Sequence, residues 1–292
     1  MCELGGNTHE IRTNHQIEAR PRQNMKQLKS SLSDLRRLFA RTITLRDIAE
    51  PLVSFDHGQS AEEVCAFLCK REFDVVGVRE HGVVIGYVIR EELKDGIVGA
   101  YYHSFGIGEV LSDSEPLLAA FSALREHRHA FINVLGHVGG IITRGDLQKA
   151  PVRLWLFGLV SLLEMQMLRL VRERYPGDLW ISLLTEPRVA MARSIFDKRR
   201  ERNEANDLSD CLQIVDKAKI LLKDDALFKL TGFSSRQAAE TLFNKLGTLR
   251  DALAHANDIL NGQWPELMDL VTSLETTLER FEKAVVPPKS KS

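Results

Sequence analysis

Cysteine is scarce: the 292 residues include four, Cys2, Cys65, Cys69 and Cys211, without paired CxxC spacing. That excludes a disulfide scaffold and a thiolate zinc site. Cys65 and Cys69 sit four apart on an apolar helix face and are read as core packing. Net charge is nearly absent, with Lys+Arg 39 against Asp+Glu 40. No global field can hold a polyanion, so a histone-like binder is excluded and any RNA contact must rest on a local patch. Long apolar runs are missing too. The longest, Leu154 to Leu163, is broken by Ser161 and ended by Glu164, about half of the roughly 20 residues that cross a bilayer. The start of the chain turns polar after Gly6 without the apolar stretch of a secretory signal. The expectation is a cytoplasmic protein with no membrane partner. There is also no metal-binding carboxylate pair and no Gly-rich transfer loop, which weighs against a nucleotide transferase. What is present is 44% hydrophobic and 27% charged residues, enough for two ordinary domains.

Residues 1–40 read as a flexible basic arm: from Arg20 to Arg41 seven basic residues face only Asp34, with a short helix possible over Leu28 to Phe39. From residue 41 to 150 the chain repeats itself. A shift of 54 positions pairs Ser60 with Ser114, Phe67 with Phe121, Arg71 with Arg125, Gly82 with Gly136, Gly86 with Gly140, Arg90 with Arg144 and Leu93 with Leu147. Each copy predicts a helix (Ala61 to Lys70; Glu115 to Glu126), two strands (Val75 to Val78 and Val83 to Ile89; Ala130 to Val134 and Val138 to Ile142) and a short helix. One copy leaves its sheet half uncovered, so the two are expected to pack together and form a cleft. Residues 151–286 are helical in periodicity, with helices expected near 152–173, 187–204, 208–223, 235–257 and 264–284, and 287–292 read as a disordered tail.

The second copy contains Gly140-Ile-Ile-Thr143-Arg144-Gly145-Asp146-Leu147 where a strand runs into a helix. Gly140 permits close backbone approach, the Thr143 hydroxyl and following N–H groups can meet a phosphate, Arg144 can add a charge-assisted bond, and Asp146 can bind ribose hydroxyls. The same Thr143-x-x-Asp146 spacing also makes a capping box, in which a helix start satisfies its own donors. His127 and His129, two apart at the start of the strand before this segment, share a face and are too few ligands for a metal. The tandem repeat over Thr42 to Lys149 resembles a pair of cystathionine-β-synthase (CBS) domains. The resemblance implies an adenine nucleotide (ATP, ADP or AMP) as regulatory ligand, held by Gly140, Thr143 and Asp146, with His129 and Ala130 beside the adenine. The first copy keeps Gly86 but has Ile89 and Glu92 in place of the hydroxyl and aspartate, so one site is expected rather than two.

In the helical part, Arg250-Asp251-Ala252-Leu253-Ala254-His255-Ala256-Asn257 is the suggestive constellation. On a helix Asp251 and His255 lie about 40° apart and can bond, while Arg250 and His255 lie about 140° apart, which favours a site completed across a homodimer. His255 could move the 2′-hydroxyl proton of RNA, Arg250 meet the charge on phosphorus, Asp251 orient the imidazole and Asn257 donate to phosphate, with no metal required. The structural alternative has Arg250 and Asp251 as solvated charges and His255 as a satisfied histidine near a helix end. Glu164 is either a surface residue or a buried partner of a cation such as Arg250. Lys198-Arg199-Arg200-Glu201-Arg202 either tracks RNA or complements a helix C-terminus. An all-helical domain with Arg-Asp-x-x-x-His in its penultimate helix resembles the HEPN (higher eukaryotes and prokaryotes nucleotide-binding) family, many of whose members are metal-independent ribonucleases acting as dimers. The expected fold class is thus a multidomain chain, an α+β tandem CBS pair followed by an all-α HEPN-like bundle. The expected function is a nucleotide-regulated ribonuclease, a stress or defence effector. The alternative is a non-catalytic nucleotide sensor whose helical domain dimerises or docks a partner.

Overall fold

The computed structural model describes residues 31–204, 207–255, 257–259 and 264–288. Most of the basic arm therefore lies outside the described residues, as do positions 289–292 of the tail. From Leu32 the arm gives way to helix α1 (Leu32–Thr42), started by the Ser31 hydroxyl, which accepts from the Asp34 N–H at 3.0 Å. Leu35 of this helix fills the space over Gly158, where a Cβ would meet it at 3.1 Å. The segment is thus docked rather than an extension of the arm.

The β-branched runs form β1 (Glu50–Pro51), β2 (Ser54–Asp56), β3 (Val75–Glu80), β4 (Val83–Ile89), β5 (His103–Ser104), β6 (Val110–Ser112), β7 (His129–Val134) and β8 (His137–Thr143), with α2 (Ala61–Arg71) and α3 (Leu118–Glu126) between them. Two four-stranded sheets result, ordered β2-β3-β4-β5 and β1-β8-β7-β6. The 54-residue offset is kept in three dimensions. Val75 pairs with Ile89 as His129 does with Thr143, and each hairpin slips register at the same place, Val78/Arg79 and Ile132/Asn133. Each turns on two residues of positive φ, His81-Gly82 and Leu135-Gly136, the geometry a two-residue hairpin of this twist requires. The outermost strand of each sheet comes from outside its own copy: β5 pairs with Gly86 and β1 with Gly140. Helix α3 starts three residues later than expected, because Glu115 and Pro116 are used in the turn after β6. The short helices after β4 and β8 are single 3-10 turns, Arg90–Glu92 and Arg144–Gln148.

The helical region comprises α4 (Ala150–Arg174), α5 (Glu186–Arg200), α6 (Ile214–Lys223), α7 (Asp225–Thr231), α8 (Arg236–Ala254) and α9 (Trp264–Lys283). Helix α5 stops at Arg200, short of position 204, where Asn203 takes a positive φ of 59°. The helix expected from 208 is interrupted because Asp207 and Asp210 close a 3-10 turn on themselves, and Gln213 with Asp216 starts a new helix. Helix α7 was not foreseen. It is capped by Asp224 and closed by Gly232 at φ 75°. Helix α4 runs through the centre and packs against α1, α6, α8 and α9. By length and composition it could cross a membrane, a wider apolar window than the run Leu154 to Leu163 suggested, and half of that window is buried inside the fold.

Buried clusters do not divide at residues 150/151. The first copy has its own small core around Val64, Leu68, Val76 and Val88. Phe121, Leu124, Ile132 and Leu147 of the second copy instead belong to one continuous core with Trp155, Trp264 and Phe281 of the helical region. Cys65 is half-buried against the first core, Cys211 is buried, and Cys69 is exposed, contrary to the packing role expected of it.

Candidate functional site

Strand β8 delivers Thr143 to a turn that Asp146 closes. The Thr143 N–H and hydroxyl both donate to Asp146 Oδ2, at 2.7 and 2.9 Å, so the capping box is formed. Asp146 Oδ1 takes the Lys149 ammonium at 2.9 Å, and the Asp146 side chain is only 10% exposed. Lys149 also donates to the Ile48 carbonyl and pairs with Glu50; burial opposes its charge, but these partners hold its pKa above the ordinary value. The close approach that Gly140 permits is taken by the protein itself: a Cβ there would meet Ile132 at 3.1 Å and the Glu50 carbonyl at 3.4 Å.

Register decides which residues share a face. His129 pairs directly with Thr143, and directly paired residues of an antiparallel ladder project to the same side. Ala130, paired with Ile142, is fully buried on the opposite side. Arg144 turns toward the helical region, with Nη2 3.5 Å from the Leu124 carbonyl and the guanidinium 5.9 Å from the Trp264 ring centroid. The structure thus brings together His129, Thr143 and Asp146, and directs Ala130 and Arg144 elsewhere.

The His129 face looks onto the other copy. Its ring lies 5.2 Å from Tyr87 and 5.0 Å from Phe131, and Phe105 stacks on Tyr87 at 6.0 Å. Glu109 accepts from the Tyr87 hydroxyl at 3.2 Å and from the Gly106 N–H at 2.7 Å, with His127 at 3.7 Å. Burial pushes the Tyr87 pKa up, and Glu109 adds to the shift. Burial pushes that of His129 down, only partly opposed by Glu109, which leaves a neutral imidazole near pH 7. In the first copy Glu92 is bound to His103 at 2.5 Å.

The second constellation lies at the end of α8. Arg250 donates to Asp251 Oδ1 at 3.1 Å and lies 3.8 Å from Glu164, whose other oxygen takes Lys217 at 3.1 Å. Glu164 is therefore the partner of a cation, chiefly of Lys217. No side-chain bond joins Asp251 to His255 among the described residues. The helix ends at Ala254, and His255 sits at the cap with φ −105° and ψ 12°, its N–H donating to the Asp251 carbonyl at 3.1 Å. His255 is exposed, while Asn257 folds back, its N–H donating to the Ala252 carbonyl at 3.0 Å. Arg153 holds this end in place, donating to the carbonyls of Ala252 at 2.8 Å, Leu253 at 3.3 Å and Asn257 at 2.9 Å. Among the described residues no group of three or more His, Cys, Asp or Glu side chains is placed to hold a metal ion.

Three contributors were missed in the sequence: Tyr87, Lys217 and Arg153. Tyr87 stands opposite Ile141 in the repeat, a visible departure. Lys217 falls on the apolar stripe Ile214, Ala218, Leu221 of α6, a position where a cation needs a buried partner. Arg153 carried no signal, because its acceptors are backbone carbonyls about 100 residues away.

No family model matches the chain, and no curated protein matches it. Solved structures similar to part of it include CBSX2, a CBS-pair protein from Arabidopsis thaliana, at 19% identity, covering 38% of this chain and 95% of that one with a TM-score of 0.34. CBSX2 in complex with AMP matches at 18% identity over 36% and 92%, TM-score 0.33. The CBS domain of the bacterial CNNM/CorC family Mg2+ transporter in complex with ATP matches at 16% identity over 40% and 91%, TM-score 0.34.

Proposed function

We propose that the tandem unit is a CBS-type pair that binds an adenine nucleotide at its second copy, and that the helical region is the output, a surface for self-association or partner docking in the cytoplasm. The observation that carries this reading is the register of β7 on β8, which sets His129 across from Thr143, itself bonded to Asp146, with Phe131 and Tyr87 against the His129 ring. Aromatic faces suit a base, a carboxylate suits ribose hydroxyls, and a hydroxyl with a neutral imidazole can donate to phosphate without adding charge. Titration calorimetry with AMP and with ATP tests it. The wild-type chain should bind one of them at a single site, and Asp146→Ala should weaken binding at least about tenfold, the weight of a hydrogen bond to a charged group. Equal affinity in the variant would remove the site.

A second reading of the output rests on Arg250, anchored by Glu164 yet 48% exposed, and on the exposed His255 at the end of the same helix. As a metal-independent ribonuclease, His255 would move the 2′-hydroxyl proton, Arg250, held by Asp251, would meet the phosphate charge, and Asn257 would donate to phosphate, with two copies completing the site. Wild-type cleavage of labelled RNA in EDTA, leaving a 2′,3′-cyclic phosphate and abolished in His255→Ala, is its expected result. Identical behaviour of the two proteins on several RNAs leaves the helical region as a docking domain.

A further inference from the structure

Building on the nucleotide-sensor reading, we infer that the segment from Asp146 to Arg153 is a latch through which occupancy of the second copy controls the end of α8. Gln148, the last residue of the 3-10 turn that Asp146 closes, bonds through Nε2 to Asp258 Oδ1 and accepts at Oε1 from the Ile259 N–H at 3.3 Å. Arg153 reaches the same Gln148 oxygen at 3.4 Å while it binds the last carbonyls of α8. Two sets of bonds therefore meet in one turn: Thr143 and Asp146 close its start, and Gln148 at its end ties it to the residues that follow His255. The carbonyls at a helix end have no partners within the helix, so what holds them from outside decides whether the last turn stays formed.

The turn has a reason to exist in two arrangements. Both Asp146 oxygens are in use, Oδ2 by Thr143 and Oδ1 by Lys149, and the carboxylate is nearly sealed from solvent. A phosphate that takes the Thr143 hydroxyl proton must displace its bond to Asp146, and a ribose hydroxyl reaches the remaining acceptor site of this nearly buried side chain only when the turn opens around it. The ligand therefore binds the self-capped and the opened turn with different affinity, which is the condition for it to shift their populations. Gln148 lies two residues beyond Asp146 in the same turn, so opening the turn withdraws it from Asp258 and Ile259. Arg153 still binds the carbonyls of Ala252, Leu253 and Asn257, but the segment that follows His255 loses its tie to Gln148 and the last turn of α8 is held less firmly.

The test is amide exchange over residues 252–259 in the full chain, with folding of each variant checked by thermal melting. Without any ligand, Thr143→Val and Asp146→Asn should each speed exchange there about fivefold, the weight of one net hydrogen bond. Neither should add anything in a Gln148→Ala or Asp258→Ala background, where the latch is already cut. Asp258→Asn, which keeps the acceptor oxygen, should behave as wild type. Saturating AMP or ATP should reproduce the increase in wild type and not in Gln148→Ala, whose nucleotide affinity should rise by up to the same factor. Additive effects in the double variants, or slow exchange over 252–259 in Gln148→Ala, would overturn the latch. Absence of nucleotide binding by the wild type would instead overturn the sensor reading, while the ligand-free cycle still decides the latch.

Discussion

Asp224→Ala is expected to cost about 3–5 kcal/mol of folding stability, seen as a large drop in the urea midpoint, because it breaks a buried ionic network from one side. The carboxylate is 3% exposed and accepts four bonds: from the Tyr175 hydroxyl at 2.6 Å, Arg174 Nε at 2.9 Å, and the N–H groups of Ala226 and Leu227 at 2.9 and 3.0 Å. Removing it takes a hydrogen-bond partner from a buried phenol and from a largely buried guanidinium and uncaps α7 in one step. Burial by itself raises the Asp224 pKa, but the Tyr175 hydroxyl, the Leu227 amide and Arg174 together bring it below the ordinary value. Its stabilisation is therefore present above the unfolded value near 3.8 and lost as the pH falls through the lower folded value. The phenol behaves in the opposite sense. Burial, with Asp224, pushes Tyr175 up to about 12. Its contribution is fully present below the unfolded value near pH 10 and disappears between about 10 and 12. Tyr175→Phe should flatten that alkaline limb in a stability–pH curve and shrink the acid limb too, because the same hydroxyl helps to hold the Asp224 pKa low.

Trp264→Ala should cost a similar amount, about 3–5 kcal/mol, the usual range for truncating a buried aromatic. The indole is 5% exposed, donates to the Leu124 carbonyl at 3.0 Å and packs on Phe121 at 5.8 Å, so it joins α9 to α3 of the second copy. The spatial pattern of the loss is more informative than its size. Amide exchange should rise in α3, β7 and the α8–α9 end together, while Val76 and Val88, in the separate core of the first copy, keep their protection. Uniform loss over both copies would mean that the two cores unfold as one unit.

These two sites show which parts of the structure could be read in advance. The duplicated α+β unit was legible because Gly82 and Gly136, and the apolar strands beside them, repeat at one offset, and hairpin geometry turns that offset directly into register. The long helices were legible from periodicity. The run of core from Phe121 into Trp264 was not, since a tryptophan at the start of a helix has the same pattern whichever neighbour it packs against. Asp224 looks like one of two adjacent surface acids, and only the fold brings Tyr175 and Arg174 to it. At the candidate sites, Thr143 with Asp146 could be named from spacing, and so could Arg250 with His255. That Asp251 accepts from Arg250 could not be read from spacing, which allows His255 as well, nor could the hold of Arg153 on the end of α8, since helix ends are set by external partners.

The strand exchange at the sheet edges sets a timetable for folding. Glu50 and Pro51 lie beside Ile141 and Gly140, about 90 residues further along the chain, whereas β3 and β4 are joined by a two-residue turn. On the ribosome the first hairpin can close as soon as it emerges, but β1 must wait, unpaired, until the whole second copy has been made. Contacts of such long sequence separation form late and slowly. Completion of the second sheet, and with it the frame around Thr143 and Asp146, therefore comes late in the assembly of the tandem unit, and until then a nascent chain has an open sheet edge that a neighbouring copy could fill in its place.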